Sequence, residues 1–192
     1  MCIRLAAAVL LSLAPSLAWA RVSSPLGRAP QRPEAGLKAP RLWQDRSGAF
    51  ALERPTSERW MFRSGVRGPD GEPVPLLAVS QETGAQFVVQ SADGINDLRL
   101  LTRMLMDNLA SEGQVHVEDL ERVLSRGGEA YGFSFTVADE TRGRVAVVRA
   151  GEHVALVVAS WPLGAPPEVV DEVDGMIGSL GPPPGTLAPG VF

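Results

Sequence analysis

The chain has 192 residues, of which 45% are hydrophobic and 21% charged, and its formal net charge is −4. Such a length accommodates one domain with a sizeable core and is short for two. The single cysteine, Cys2, precedes an apolar run and not the end of one, which excludes a bacterial lipoprotein acylation site and leaves the rest of the chain without disulfides, thiolate nucleophiles or cysteine metal ligands.

The first twenty residues have the pattern of a secretory signal peptide. Arg4 provides a short positive region, residues 5–17 an apolar region, and Ala18 and Ala20 the small residues before a cleavage site. The alternative is an uncleaved membrane anchor, which needs about 20 apolar residues. Because Pro15 interrupts the run, we expect cleavage near Ala20 and an exported, periplasmic or extracellular protein.

Residues 21–48 predict a disordered Pro/Arg-rich tether, because a segment rich in proline and poor in periodic apolar residues cannot offset its ordering entropy. It carries six basic and two acidic residues, whereas residues 49–192 carry 11 basic and 20 acidic ones. The acidic domain argues against nucleic-acid binding, which depends on phosphate contacts. Membrane contact by the tether is an alternative to a solvated spacer. Trp43 is either an anchor to a partner or a membrane interface, or else an incidental exposed residue or the first residue to pack on the domain.

Alternating or continuous apolar runs predict about six strands in one antiparallel sheet. The clearest are residues 76–80, 85–91, 129–138, 144–150 and 153–161, and the shorter or more ambiguous ones are 49–52, 60–63 and 115–124. Residues 68–75 predict a loop because of their Asp-Gly and prolines. Residues 81–84 predict a hairpin turn with Gly84 at positive φ. The alternation of apolar and small or polar residues over 129–138 predicts a strand with one buried side. The nearly continuous apolar run over 153–161 predicts a strand buried on both sides.

Two helices are expected. The first covers residues 95–109, with Asp93 as its N-cap and Gly113 as its stop. Its apolar residues at helical spacing are Ile95, Leu98, Leu101, Leu105 and Leu109. Met104 and Met106 are expected to fill gaps in the hydrophobic core and not to line a lipid or cofactor groove. The second follows Pro162 and begins near Pro167, where a missing N–H costs nothing. Its inward stripe consists of Val169, Val170, Val173, Met176, Ile177 and Leu180.

These elements predict an α+β domain over residues 49–180, followed by a disordered Pro/Gly tail over residues 181–192. The order of several short motifs resembles the PsbP-like superfamily, which includes the DcrB-type envelope proteins. The motifs are Phe50-x-Leu52-x-x-Pro55 with Trp60, FVVQS at the end of the hairpin, Gly128-Glu129-Ala130-Tyr131, and a Trp-Pro strand end before a helix closed by Ser179-Leu180. The resemblance covers residues 48–180.

The resemblance implies a PsbP-like fold and a non-enzymatic adaptor or stability factor whose protein partner is not identified. It brings no catalytic motif. The acylated members of the superfamily have a lipobox that this chain lacks, so the resemblance does not imply membrane anchoring.

The sequence contains no set of residues that by itself specifies a catalysed reaction. His116 and Glu118 share a face of a predicted strand, but two ligands do not make a zinc or calcium site. His153 follows a turn, and no Gly-x-Ser-x-Gly elbow occurs. Residues 125–128, Ser-Arg-Gly-Gly, lack the lysine and the following helix of a phosphate loop.

Carboxylate pairs form a further possibility, since Asp97, Asp107 and Glu129 could meet across a cleft as in glycosidases. Glu121 and Glu129 stand at no recognisable ligand spacing from the histidines. Trp60 and Trp161 are expected in the core.

We therefore predict no catalytic, cofactor-binding or metal-binding residues, and expect an exported accessory protein that binds another macromolecule through one face of its sheet. Two alternatives remain. A hydrolase or metal-dependent enzyme would gather His116 or His153 with carboxylates in a pocket beside the first helix, and a lipid or small-molecule carrier would show an interior cavity. An adaptor would show a broad exposed apolar patch.

Overall fold

The structure is a computed structural model that describes residues 41–68 and 71–185. Its helices are α1 (Leu98–Ala110) and α2 (Pro167–Ser179). Its strands are β1 (Leu42–Gln44), β2 (Ala51–Glu53), β3 (Trp60–Arg67), β4 (Pro73–Ser80), β5 (Gln86–Ala92), β6 (Val115–Val117), β7 (Glu121–Arg122), β8 (Ala130–Val137), β9 (Thr141–Ala150) and β10 (His153–Pro162).

Eight strands form one antiparallel sheet in the order β3-β4-β5-β10-β9-β8-β6, and β7 also pairs with β8. The predicted α+β class with two helices on an antiparallel sheet is confirmed. The sheet has more strands than the expected six, partly because the predicted strand over residues 115–124 is split into β6 and β7. Strands β1 and β2 form a separate two-stranded sheet.

The sheet carries a hydrophobic core on each side. Helix α2 and the β1–β2 pair cover one side, where Phe50, Phe87 and Met176 are fully buried. Helix α1 packs on β6, β8 and β9 on the other side, around Leu105 and Phe133. Each helix is amphipathic, so its apolar stripe is buried while its charged residues face water.

The central strands follow the prediction closely. Strands β8, β9 and β10 are consecutive antiparallel neighbours, and β10 is buried on both sides. Strands β4 and β5 form the predicted hairpin, in which the Ser80 N–H donates to the Ala85 carbonyl at 2.8 Å and Gly84 has a φ of 73°. For β8 the prediction of one buried side is wrong, because Ala130 and Gly132 are also buried under the α2 layer.

The predicted loop over residues 68–75 is wrong at its end, where β4 begins at Pro73. Strand β4 tolerates its prolines for two reasons. The ladder with β5 starts only at Leu76, and the pairing with β3 skips the position where Pro75 lies opposite Gly65. Pro75 therefore lies where no backbone N–H is needed for a hydrogen bond to either neighbouring strand.

Helix α1 begins later than predicted. Its N-cap is Asp97 and not Asp93, since Asp97 has an extended φ of −112° and its carboxylate accepts from the Leu100 N–H at 2.8 Å. An N-cap needs an extended backbone and a side-chain acceptor three residues before the donor. The helix ends at Ala110 with Ser111 as C-cap, before the predicted stop at Gly113.

The folded part starts before residue 49. Strand β1 pairs with β2, and Trp43 is 7% exposed beside Phe50, with ring centroids 5.5 Å apart. The last residues of the predicted tether thus belong to the folded domain, because β1 pairs with β2 while Trp43 buries a large aromatic side chain. At the other end, Gly181 forms a bridge with Ala51. The predicted signal peptide, residues 21–40 of the tether and residues 186–192 of the tail lie outside the described residues.

Neither helix of the described residues is long and apolar enough to span a membrane.

Candidate functional site

Strands β3, β4 and β5 present side chains on the α1 side of the sheet that belong to no core. Phe62 on β3, Ala78 on β4 and Phe87 on β5 pack in the core on the α2 side. Side chains alternate along a strand, so the residues next to these three point to the α1 side. The strand register then brings six side chains together. We name this group the open sheet face: Met61, Arg63, Leu77, Val79, Gln86 and Val88.

The register forms two rows across these strands. Met61 lies opposite Val79, and Arg63 lies opposite Leu77. Strand β5 extends both rows, and Val88 lies opposite Leu77. Within the described residues, none of the six side chains belongs to either core cluster. Met61, at 42% exposure, and Arg63 are exposed, whereas the other four are half-buried. The open sheet face is thus an apolar surface with one cation, Arg63.

The position of α1 explains why this half of the sheet is open. The Arg149 guanidinium on β9 donates to the carbonyls of Ile95 and Asn96, at 2.8 and 3.1 Å, and lies 3.6 Å from the Glu129 carboxylate. These bonds hold the segment before the helix over β9. From there α1 runs over β6, β8 and β9, away from β3.

The other side of the sheet is tied down more completely. The Trp60 indole N–H on β3 donates to the Glu172 carboxylate on α2 at 2.7 Å, and Arg59 lies 3.5 Å from the same carboxylate. Near the middle of the sheet, Arg144 pairs with Asp174 at 2.5 Å. Since Trp60 and Trp161 are both buried in this core, their predicted core positions are confirmed.

The two histidines are far apart. His153 begins β10, and its Nδ1 lies 2.5 Å from the Asp93 carboxylate in an exposed pair. His116 lies opposite Thr136 on β8, and the same row of paired residues continues through Arg142 on β9 to Trp161. Trp161 lies at the end of β10 away from His153. At about 3.3 Å per residue, the two ends of this strand are roughly 25 Å apart, so the histidines share no pocket.

Of the carboxylates that the sequence singled out, Glu121 and Glu129 form ion pairs with arginines. Glu121 lies 3.6 Å from Arg144, and Glu129 lies 3.6 Å from Arg149. Asp97 caps α1. Within the described residues, no three His, Cys, Asp or Glu side chains lie close enough together to hold a metal ion.

Residues 125–128 have a structural role that the sequence did not suggest. The Ser125 hydroxyl donates to the Leu180 carbonyl at 2.6 Å, and the Gly127 N–H donates to the same oxygen at 2.9 Å. The Arg126 N–H donates to the Gly178 carbonyl at 2.8 Å. This turn therefore satisfies the free carbonyls at the end of α2.

A depression of about 290 Å³ lies beside the start of α1 and is lined by Asp97, Arg99, Leu100 and Arg103. Neither histidine lines it. The enzyme alternative requires a pocket that gathers a histidine with carboxylates, and this depression has no histidine in its lining. Met106 packs against the α1-side core, in agreement with a role as core filler.

Arg54, after β2, is another cation that the core uses. Its guanidinium lies 4.8 Å from the centre of the Phe62 ring, and burial lowers the pKa of this side chain. A guanidinium remains protonated at physiological pH even so. Arg54 therefore contributes a cation–π contact to the α2 side and does not act as a base.

The sequence carried one signal for the open sheet face. Strand β4 is apolar at successive positions from Val74 to Val79, which indicates two sides in need of cover. A helix is 10–12 Å wide and strands are about 4.8 Å apart, so one helix covers roughly two or three strands. Two helices on opposite sides of an eight-stranded sheet leave part of it open.

No protein-family model and no curated protein matches the sequence. Solved structures do match by fold. The solution structure of the cyanobacterial PsbP protein CyanoP from Synechocystis sp. PCC 6803 has a TM-score of 0.53 and 16% identity, and the match covers 83% of this chain and all of that one. The Ran-binding protein Mog1p of Saccharomyces cerevisiae has a TM-score of 0.49 and 13% identity, over 72% of this chain and 93% of that one.

The match to CyanoP spans that whole protein, and the order of strands and helices agrees with the fold expected from the sequence motifs. At this level of identity the likeness concerns the fold. This chain has a PsbP-like fold.

Proposed function

We propose that this chain is an exported, non-enzymatic accessory protein of the cell envelope that binds another protein through its open sheet face. The observation that carries the proposal is the open sheet face itself. Four of its six side chains are apolar, and within the described residues they pack in neither core. Met61 is exposed, and Leu77, Val79 and Val88 are half-buried, so each keeps part of its surface in water. Apolar surface that stays in contact with water has a standing free-energy cost, and its usual reason in a soluble domain is a binding partner.

The sequence supports the compartment. Residues 1–20 have the charge, apolar run and small residues of a signal peptide. With these residues removed near Ala20, the basic segment that follows would act as a tether for the acidic domain. Among PsbP-like proteins we place the chain with the DcrB-type envelope proteins, on the motifs at Trp60, Gly128 and the Trp161-Pro162 strand end.

The geometry also supports a role without catalysis. His116 and His153 lie at opposite ends of the strand row that joins them, and Glu121 and Glu129 are paired with arginines. A nucleophile, a base and an orienting group would have to meet within hydrogen-bond reach. A binding function requires none of these.

Affinity capture from a cell-envelope extract tests the proposal. Val79→Asp places a charge on the open sheet face, and Met61→Asp does so at its rim, where the side chain is already 42% exposed. Leu124→Asp is the matched control, because Leu124 is 89% exposed and lies outside the face. We expect the wild type and Leu124→Asp to retain the same protein and both face variants to lose it. Equal retention by all four, with unchanged melting temperatures, contradicts the proposal.

A further inference from the structure

The open sheet face has the width of one helix. Strands β3, β4 and β5 span about 10 Å between the outer two, at about 4.8 Å per spacing. An α-helix with its side chains is 10–12 Å across. Helix α1 already lies on the same side of the sheet over β6, β8 and β9. The surface beside it therefore accepts one further helix as part of the same layer.

The face also specifies a charge. Arg63 is its one charged member, and in the part of the chain that the structure describes its guanidinium donates only to the Met61 sulfur, at 3.3 Å. Within the described residues, no carboxylate lies within ion-pair distance of Arg63, although the chain has 22 acidic residues. When apolar neighbours are covered, an unpaired guanidinium loses water and needs an acceptor in return, and a carboxylate is the strongest one. The occupant that fits is apolar along one stripe and acidic at one point.

Other occupants fit less well. Residues 21–40 carry four basic residues, one acidic residue and four prolines, so this segment does not complement Arg63, and its prolines disfavour a continuous helix. A second copy packed face to face brings another Arg63 and no carboxylate. Strand addition at the free edge of β3 is opposed by Arg63 and Arg67 and by Gly65, whose φ is 64°.

We infer that the partner places one amphipathic helix on the open sheet face, with apolar residues over Leu77, Val79 and Val88 and an Asp or Glu against Arg63. This inference rests on the proposed binding function and specifies the chemistry of the partner.

The first test reverses the charge. In capture from an envelope extract, Arg63→Glu in the full chain lowers the retained partner at least about tenfold, whereas Arg63→Lys keeps most of it. Arg122→Glu is the control, because Arg122 is exposed on β7 and has no ion pair among the described residues. Retention that is equal for Arg63→Glu and Arg122→Glu overturns the inference.

The second test identifies the contact. Lys38 is the only lysine of the chain, so Arg63→Lys combined with Lys38→Arg leaves a single side-chain amine. A carbodiimide then joins this amine only to a carboxylate in direct contact. We expect a cross-linked peptide from another protein, with apolar residues three and four positions apart around the coupled Asp or Glu. Coupling to Glu34, to a second copy or to a strand-like segment overturns the inference.

The failures of the two proposals are distinguishable. If the wild-type chain retains no protein at all, the proposed function fails and the inference with it. If a protein is retained through the face but neither responds to Arg63→Glu nor couples through a carboxylate, only the inference fails.

Discussion

Gly143 on β9 shows how closely the sheet is packed. A Cβ at this position would lie 2.5 Å from the Ala159 carbonyl oxygen and even nearer to the Phe135 ring. Neither neighbour can withdraw, since one is backbone and the other is buried. We expect Gly143→Ala to lower the free energy of unfolding by about 3 kcal/mol, at the upper end of what overpacking costs.

Chemical denaturation of the purified protein measures this effect. Gly175→Ala is the control, because Gly175 is exposed on α2 and no atom lies within 4 Å of an added Cβ. This control should raise stability by up to about 1 kcal/mol through helix propensity. A Gly143→Ala variant as stable as the wild type would show that the strands are farther apart than the structure has them.

At this scale the sequence was a partial guide. The apolar spacing of α1 was sufficient to predict its core residues, including Leu98, Leu105 and Leu109. The N-cap was wrong because Asp93 and Asp97 are both plausible capping residues, and only the backbone decides between them. Asp97 is extended at the helix start, while Asp93 pairs with His153, sixty positions along the chain.

The β1 strand changes the boundary of the domain. Trp43 is buried against Phe50, and the β1–β2 pair closes the core beside α2. A chain that begins at residue 49 lacks this strand and should be less stable than one that begins at residue 41, by about 3 kcal/mol or more, as for the truncation of a buried Trp.

Thermal unfolding of the two shortened chains, followed by circular dichroism, measures the difference. The variant Trp43→Ala in the longer chain separates the aromatic side chain from the strand. If residues 41–48 contribute nothing, both chains melt at the same temperature, and the predicted boundary at residue 49 is restored.

Helices and strands were predictable where the hydrophobic periodicity extends over many residues. They were not predictable where a short strand is held by contacts with residues distant in the sequence. Strands β8 to β10 have clear patterns over eight to ten residues. Strand β1 has three residues and one apolar anchor, so its order comes from contacts with Phe50 and not from local propensity. Strand β4 includes two prolines that local rules assign to a loop.

The open sheet face belongs to the whole molecule. Its residues come from three strands and lie up to 27 positions apart, between Met61 and Val88. Alternation within each strand indicates which side a residue faces, but it does not indicate which half of the sheet a helix covers. That depends on Arg149, which fixes the start of α1 over β9 through two backbone carbonyls.

A photo-crosslinking amino acid placed in the living cell tests the central claim most directly. One variant carries it in place of Val88 on the open sheet face and the other in place of Leu124, which is 89% exposed outside the face. If the open sheet face binds a partner, we expect a covalent adduct with another protein from position 88 and none from position 124. An adduct from position 124 alone, or from neither position, would contradict this claim.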